Sequence, residues 1–298
     1  MDTRRATPRH CLYLTLALIV LGVSLRTVCM LCFFDADPGY FSAGILPTVS
    51  NALYFVAVAL PVVCALATPR SAYPTNLITP RRPIPAVGLG AVLAIAALLL
   101  IPFLVQAYLQ WQGYTGVTFF AYLSKYPSTE LPILPATRVG FILPVTILLG
   151  LAAAVFYCIS ASRPGRYPDW LSFLGFTPVL WSITSIGDIY FDPYVTMNSP
   201  VKISLHLGLL GFMFISLGEL RFRVGRFLPR YATIFWAIGS YTCLTGSVTV
   251  LAATGAGLLN NFSHLLYAAV LLFAGLYGLY LLFCYTVRSA PASPHTAE

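Results

Sequence analysis

Runs of about twenty apolar residues recur along the chain, approximately over 11–34, 45–68, 86–111, 139–161, 169–191, 199–220, 231–255 and 262–287. A helix needs about 20 such residues to cross ~30 Å of hydrocarbon, because only a helix or a closed barrel satisfies its own backbone inside lipid. The reading that follows is all-α: a polytopic helix bundle of about eight transmembrane helices, with residues 1–298 as one integral membrane domain. Charged residues make up 9% of the chain, against about a quarter in soluble domains, and mean hydropathy is +0.83. The first run follows a basic head as a signal peptide would, but Arg26 interrupts the place of a cleavage site, so it reads as a retained helix.

The net charge of +8 could suggest a nucleic-acid partner. Instead the basic residues fall into short clusters between the runs, which is the footprint of topology, and no nucleic acid is expected. Arg4, Arg5 and Arg9 precede the first run; Arg70, Arg81 and Arg82, then Arg163 and Arg166, then Arg221, Arg223, Arg226 and Arg230 occupy alternate connections, and Arg288 follows the last. The intervening connections hold Lys125 and Arg138, with Lys202 at the lip of the sixth helix, and the acids Asp35, Asp37, Glu130 and Asp192. Since cytoplasmic flanks carry the basic excess, both termini are expected in the cytoplasm, with 288–298 as a flexible tail. No stretch outside the runs is long enough for a separate soluble domain. The one sizeable connection, 112–138, has the aromatics of a segment lying on the membrane surface.

The first helix leaves the membrane through FFDADPGY and the fifth through YFDPYVTMNSP. Phe34, Asp35, Pro38 and Tyr40 then answer Phe191, Asp192, Pro193 and Tyr194, which raises two four-helix halves, 1–161 and 169–287, in parallel orientation. Asp, Pro and Tyr are also ordinary turn and interface residues, so local punctuation accounts for the match without a duplication. The two hairpins, FFDADPGY and YFDPYVTMNSPVK, resemble those of uncharacterised multi-pass membrane proteins of bacteria. What the resemblance implies is a bacterial cytoplasmic (inner) membrane location, with no activity attached.

The stretch where function is expected to sit is GDIYFDPYVTMNSPVKISLHLG. Trp181, Thr184 or Ser185, and Asp188 share one helical face, and Lys202 and His206, four apart, share another. Arg26 lies at a similar depth in the outer half of the first helix. A lone charge at mid-membrane costs at least ~2.5 to 3.5 kcal/mol on insertion scales, so Arg26 requires a partner, and Asp188 is the expected one. In the structural alternative the two simply pair, while Lys202 snorkels to the interface and His206 bonds between helices. In the functional reading they open an outward-facing pocket for a small anionic or lipid-like molecule. There Arg26 and Lys202 meet the anion, Asp188 is the counter-charge or a protonatable switch, His206 tunes by hydrogen bonding and Trp181 forms a wall.

That pocket predicts a water-accessible cavity reaching the midplane between Arg26, Asp188 and His206. Two rivals stand beside it: a non-catalytic membrane subunit or sensor packed against a partner, and an intramembrane enzyme. No HExxH, Walker A or clustered acidic motif is present, so no metal, cofactor or catalytic set is assigned. Cys29 and Cys32 form a CMLC pair near the outer end of the first helix, without a second external pair to exchange with. Glu219 precedes Arg223 by four residues, a favourable helical pair. The hydroxyl-rich seventh helix, from Ser240 to Thr249, reads as a packing surface ahead of a wet path.

Overall fold

The structure is a computed structural model and describes residues 7–35, 39–74, 83–115, 138–163, 165–192, 195–196, 198–225, 228–259 and 261–288. Among them, eight helical spans are long and apolar enough to cross a membrane. They are α1 (Pro8–Phe33), α2 (Ile45–Ala67), α3 (Ile84–Thr115), α4 (Leu143–Ala161), α5 and α6 together (Asp169–Leu174 and Thr177–Tyr190), α7 (Pro200–Arg223), α8 (Pro229–Gly255) and α9 (Phe262–Phe283). Single π-helical turns, Arg138–Ile142 and Cys284–Arg288, lead into α4 and extend α9. The expected 112–138 surface segment beyond residue 115 lies outside the described residues, as do Arg4, Arg5, Arg81, Arg82, Arg226, Asp37, Lys125, Glu130 and the tail after 288.

Local signals set the helix ends. Ser199 caps α7 by accepting the Lys202 backbone N–H at 3.2 Å, and Pro200 takes the first turn, where a missing N–H costs nothing. Asn261 caps α9 in the same way through the His264 N–H. The end of α8 is closed by Gly257 at φ +76°, which lets Leu258 N–H return to the Ala253 carbonyl at 3.0 Å. At the exit of α1 the chain makes a two-residue antiparallel ladder, β1 (Phe34–Asp35) with β2 (Tyr40–Phe41), pairing Phe34 with Phe41. The exit of α6 has no such ladder among the described residues; Pro38, Pro193 and Tyr194 lie outside them.

The bundle is organised around α8. Its most apolar window is 83% buried, against 28% for α2 and 33% for α3, so α8 is the axis and those two are rim helices. It packs against α7, α9, α1 and α2, while α3 and α4 pair with each other and join through α9 and α6. α2 and α3 make no contact comparable to that of α7 with α8. The outward faces carry large apolar side chains such as Phe55, Leu148 and Phe173, a surface suited to lipid.

No hydrophobic force drives helices together in lipid, so close backbone approach and hydrogen bonding must do it. The hydroxyls of α8 serve that packing: Ser240, Thr242 and Thr249 donate to carbonyls of their own helix at 2.6, 3.0 and 2.6 Å, and all are buried. Across the crossing, the Cys243 thiol donates to the Gly208 carbonyl of α7 at 3.1 Å.

Candidate functional site

The eight crossings divide the charges between two ends of the bundle, an arginine-rich end where α1 starts and a distal end where α6 stops. At the distal end, the 3.6-residue period places Trp181, Ser185 and Asp188 on one inward face of α6, all buried. The Asp188 carboxylate accepts from Arg138 Nε at 2.7 Å, from Arg138 Nη2 at 3.5 Å and from the Tyr267 hydroxyl at 2.8 Å. Arg138 Nη1 also stands 3.4 Å from Asp192 Oδ1. The other oxygen of Asp192 accepts from Asn261 Nδ2 at 2.6 Å and faces His264 Nε2 at 3.2 Å, at an angle that makes no hydrogen bond. Lys202 Nζ donates to the carbonyls of Asp192 at 2.8 Å and Tyr190 at 3.3 Å, so an ammonium sits on the negative end of α6.

Arg138 and Lys202 balance Asp188 and Asp192 in charge, and all four are at most 5% exposed. A buried pair of this kind adds little net stability over apolar packing, but removing one partner strands the other charge. The arrangement therefore ties the start of the fourth span, the end of α6 and the starts of α7 and α9 into one rigid cap.

This overturns the pairing expected from the sequence. Asp188 is neutralised by Arg138, and Arg26 makes no contact with it. The cause is α7, which stands between them. Ser204 on one face of α7 meets Arg26, while Lys202 on the opposite face meets the end of α6; two residues along a helix is a rotation of about 200°. Lys202 does not snorkel or await an anion, because it is 2% exposed and its ammonium caps α6. Trp181 is no pocket wall: it is 2% exposed and packed against Phe212 and Tyr267, at 5.8 and 6.0 Å between ring centroids. His206 is half-buried one turn along from Lys202, near enough to Lys202 and His264 to feel both, and its Nε2 has no partner among the described residues. Where the expected wet cavity between Arg26, Asp188 and His206 would run stands α7, and Arg26 and Asp188 are 2% and 0% exposed.

Arg26 has surroundings of its own. It stands seven residues before the end of α1 at Phe33, opposite Asn51 six residues into α2 from Ile45, which puts both about 10 Å inside the helix ends. Nη1 donates to Asn51 Oδ1 at 2.6 Å and Nη2 to Ser204 Oγ at 3.4 Å. The guanidinium also lies over the rings of Phe41 and Tyr54, 4.8 and 5.4 Å from their centroids. Every one of these partners is neutral. Arg26 is 2% exposed, and among the described residues its Nε has no acceptor and no carboxylate forms an ion pair with it.

Sequence reasoning missed Arg138 and Asn51. The signal for Asn51 was its position, a lone amide deep in an apolar run at the depth of Arg26. Arg138 reads as part of a connection, although it directly abuts the fourth run on the end where Asp188 lies.

At the arginine-rich end, Glu219 and Arg223 do meet, at 3.8 Å, and the Tyr167 hydroxyl donates to the same Glu219 oxygen at 2.8 Å. Burial, and then the Glu219 charge, push the Tyr167 phenol well above its ordinary range, so it stays a donor at any physiological pH. Cys29 and Cys32 are free thiols, one buried and one exposed. Among the described residues no three His, Cys, Asp or Glu side chains converge as a metal site. The chain matches no known protein family, no curated protein and no solved structure, so any function must be argued from these side chains alone.

Proposed function

We propose that this multi-pass membrane protein binds a small anion, or the anionic headgroup of a lipid, at Arg26 between α1, α2 and α7, in the cytoplasmic membrane of a bacterium. One observation carries the reading: a guanidinium buried in a membrane span whose described partners are all neutral. With Asp188 committed to Arg138, Arg26 is a buried cation without a counter-charge among the described residues. A guanidinium offers five donors in a planar fork that matches carboxylate and phosphate, and the Nε–H, without an acceptor among the described residues, can donate to such a ligand. Asn51 is exposed on the outside of α2 and is the side chain a ligand would displace. Binding is the activity supported; carriage across the membrane would further require α2 to part from α7.

The test is a thermal-shift series in mild detergent with phosphate, sulfate, small carboxylates and phosphatidylglycerol, on wild type and Arg26→Gln. A ligand that binds only the folded state stabilises it by about 2.7 kcal/mol at a hundred times its Kd. That gain should vanish in Arg26→Gln. Without ligand, the same variant should change stability by no more than about 1 kcal/mol, because the ~2.5–3.5 kcal/mol cost of a bare charge and the lost cation–π contacts roughly cancel. A flat panel with a strongly destabilised Arg26→Gln would refute the proposal. The densely packed interior around α8 would then favour a non-catalytic subunit or sensor that packs against a protein partner.

A further inference from the structure

A second site lies at the arginine-rich end, where a crevice between α7 and α8 is lined by Gly218, Arg221, Leu228, Tyr231, Ala232 and Phe235. Its walls are apolar and aromatic, with Tyr231 and Phe235 at 6.4 Å and Phe235 stacked on Phe214 at 5.3 Å. Arg221 is exposed at its mouth. Gly218 forms part of the floor, and behind it lies the indole of Trp236. Trp236 is 0% exposed, and its Nε1–H is a buried donor with no hydrogen-bond partner among the described residues. Such a group is destabilising unless an acceptor reaches it. A methyl added at Gly218 would stand 3.0 Å from that nitrogen and 3.3 Å from Phe235 Cβ, so it is the missing side chain at 218 that leaves the approach open.

We propose that this crevice holds one anionic phospholipid of the adjoining leaflet. The phosphate lies on Arg221, an ester carbonyl reaches the Trp236 N–H over Gly218, and an acyl chain runs along Leu228 and Phe235. Charge complementarity selects the headgroup: Arg221 stands at the mouth and Arg166 and Arg230 at the same end, where Glu219 already faces Arg223. The site is independent of Arg26, which is at the distal end.

The experiment is native mass spectrometry of the purified full chain with phosphatidylglycerol or phosphatidylcholine of matched chains. Wild type should retain one phosphatidylglycerol in preference to phosphatidylcholine. Arg221→Gln should cut that retention about five- to ten-fold, the scale of one arginine beside an anionic headgroup. Gly218→Ala should do so as well, by closing the approach to Trp236. Arg163→Gln, which removes a charge from the same end but from over the Trp170 ring, should leave retention unchanged. Thermal unfolding checks that the exposed Arg221→Gln variant is folded. Equal retention of the two lipids, equal loss in Arg163→Gln, or wild-type retention in Gly218→Ala would each overturn the assignment.

Discussion

Asp188→Asn should destabilise the folded protein by about 3–5 kcal/mol, the cost of leaving a buried charge without its partner. Asp188 accepts from Arg138 and Tyr267 at 2.7 and 2.8 Å with no exposure to solvent. The amide keeps the shape but presents an N–H₂ where an acceptor was, so Arg138 or Tyr267 faces a donor. Arg138→Gln should cost a similar amount. A double-mutant cycle between them should show strong coupling, with the double variant less damaged than the two losses added. The companion cycle, Arg26→Gln with Asp188→Asn, should be additive within about 0.5 kcal/mol, since α7 keeps the two apart. Reversible unfolding in detergent measures all four. Coupling between Arg26 and Asp188 comparable to that between Arg138 and Asp188 would contradict the arrangement described here.

The contrast between these cycles shows what the chain discloses before it folds. The eight spans and their ends are local properties: run length, Ser199 before Pro200, Asn261 before α9. Distance from a helix end is nearly as legible, because residue number along a span converts directly to rise; by this ruler Arg26, seven residues before the end of α1, lies deeper than Asp188, two residues before the end of α6, so the two do not share the level that the sequence reading gave them. Azimuth is not legible. Whether two charges at one depth meet depends on which helix stands between them, and that is decided by the crossing of α7 and α8 and the seating of α1 beside them. Hence the polar stripe on α6 was real and its partner misassigned. Lys202 illustrates the same limit: a lysine near a helix start could snorkel or turn inward, and only the position of the α6 carbonyls decides for the inward turn.

That crossing can be tested where it is tightest. A Cβ at Gly246 would lie 2.5 Å from the Ser204 carbonyl oxygen, and one at Gly239 would lie 2.5 Å from the Gly211 carbonyl oxygen. Both obstacles are backbone, which cannot rotate away as a side chain could. Gly246→Ala should therefore destabilise by about 3 kcal/mol, the upper part of the range for overpacking, despite the ~1 kcal/mol that alanine gains over glycine within a helix. Gly255→Ala, at the end of the same helix with nothing within 4 Å, isolates the propensity effect and should be neutral or mildly stabilising. A Gly246→Ala variant as stable as Gly255→Ala would mean that α7 and α8 do not approach so closely. The substitution also reaches the candidate site, because the displaced residue, Ser204, holds Arg26 Nη2 through its hydroxyl. At ligand concentrations that saturate wild type, Gly246→Ala should retain a smaller anion-induced thermal shift than Gly255→Ala. Loss of stability with a full anion shift would place the ligand's contacts on α1 and α2 alone, with Arg26 and Asn51 still supplying them and Ser204 a bystander.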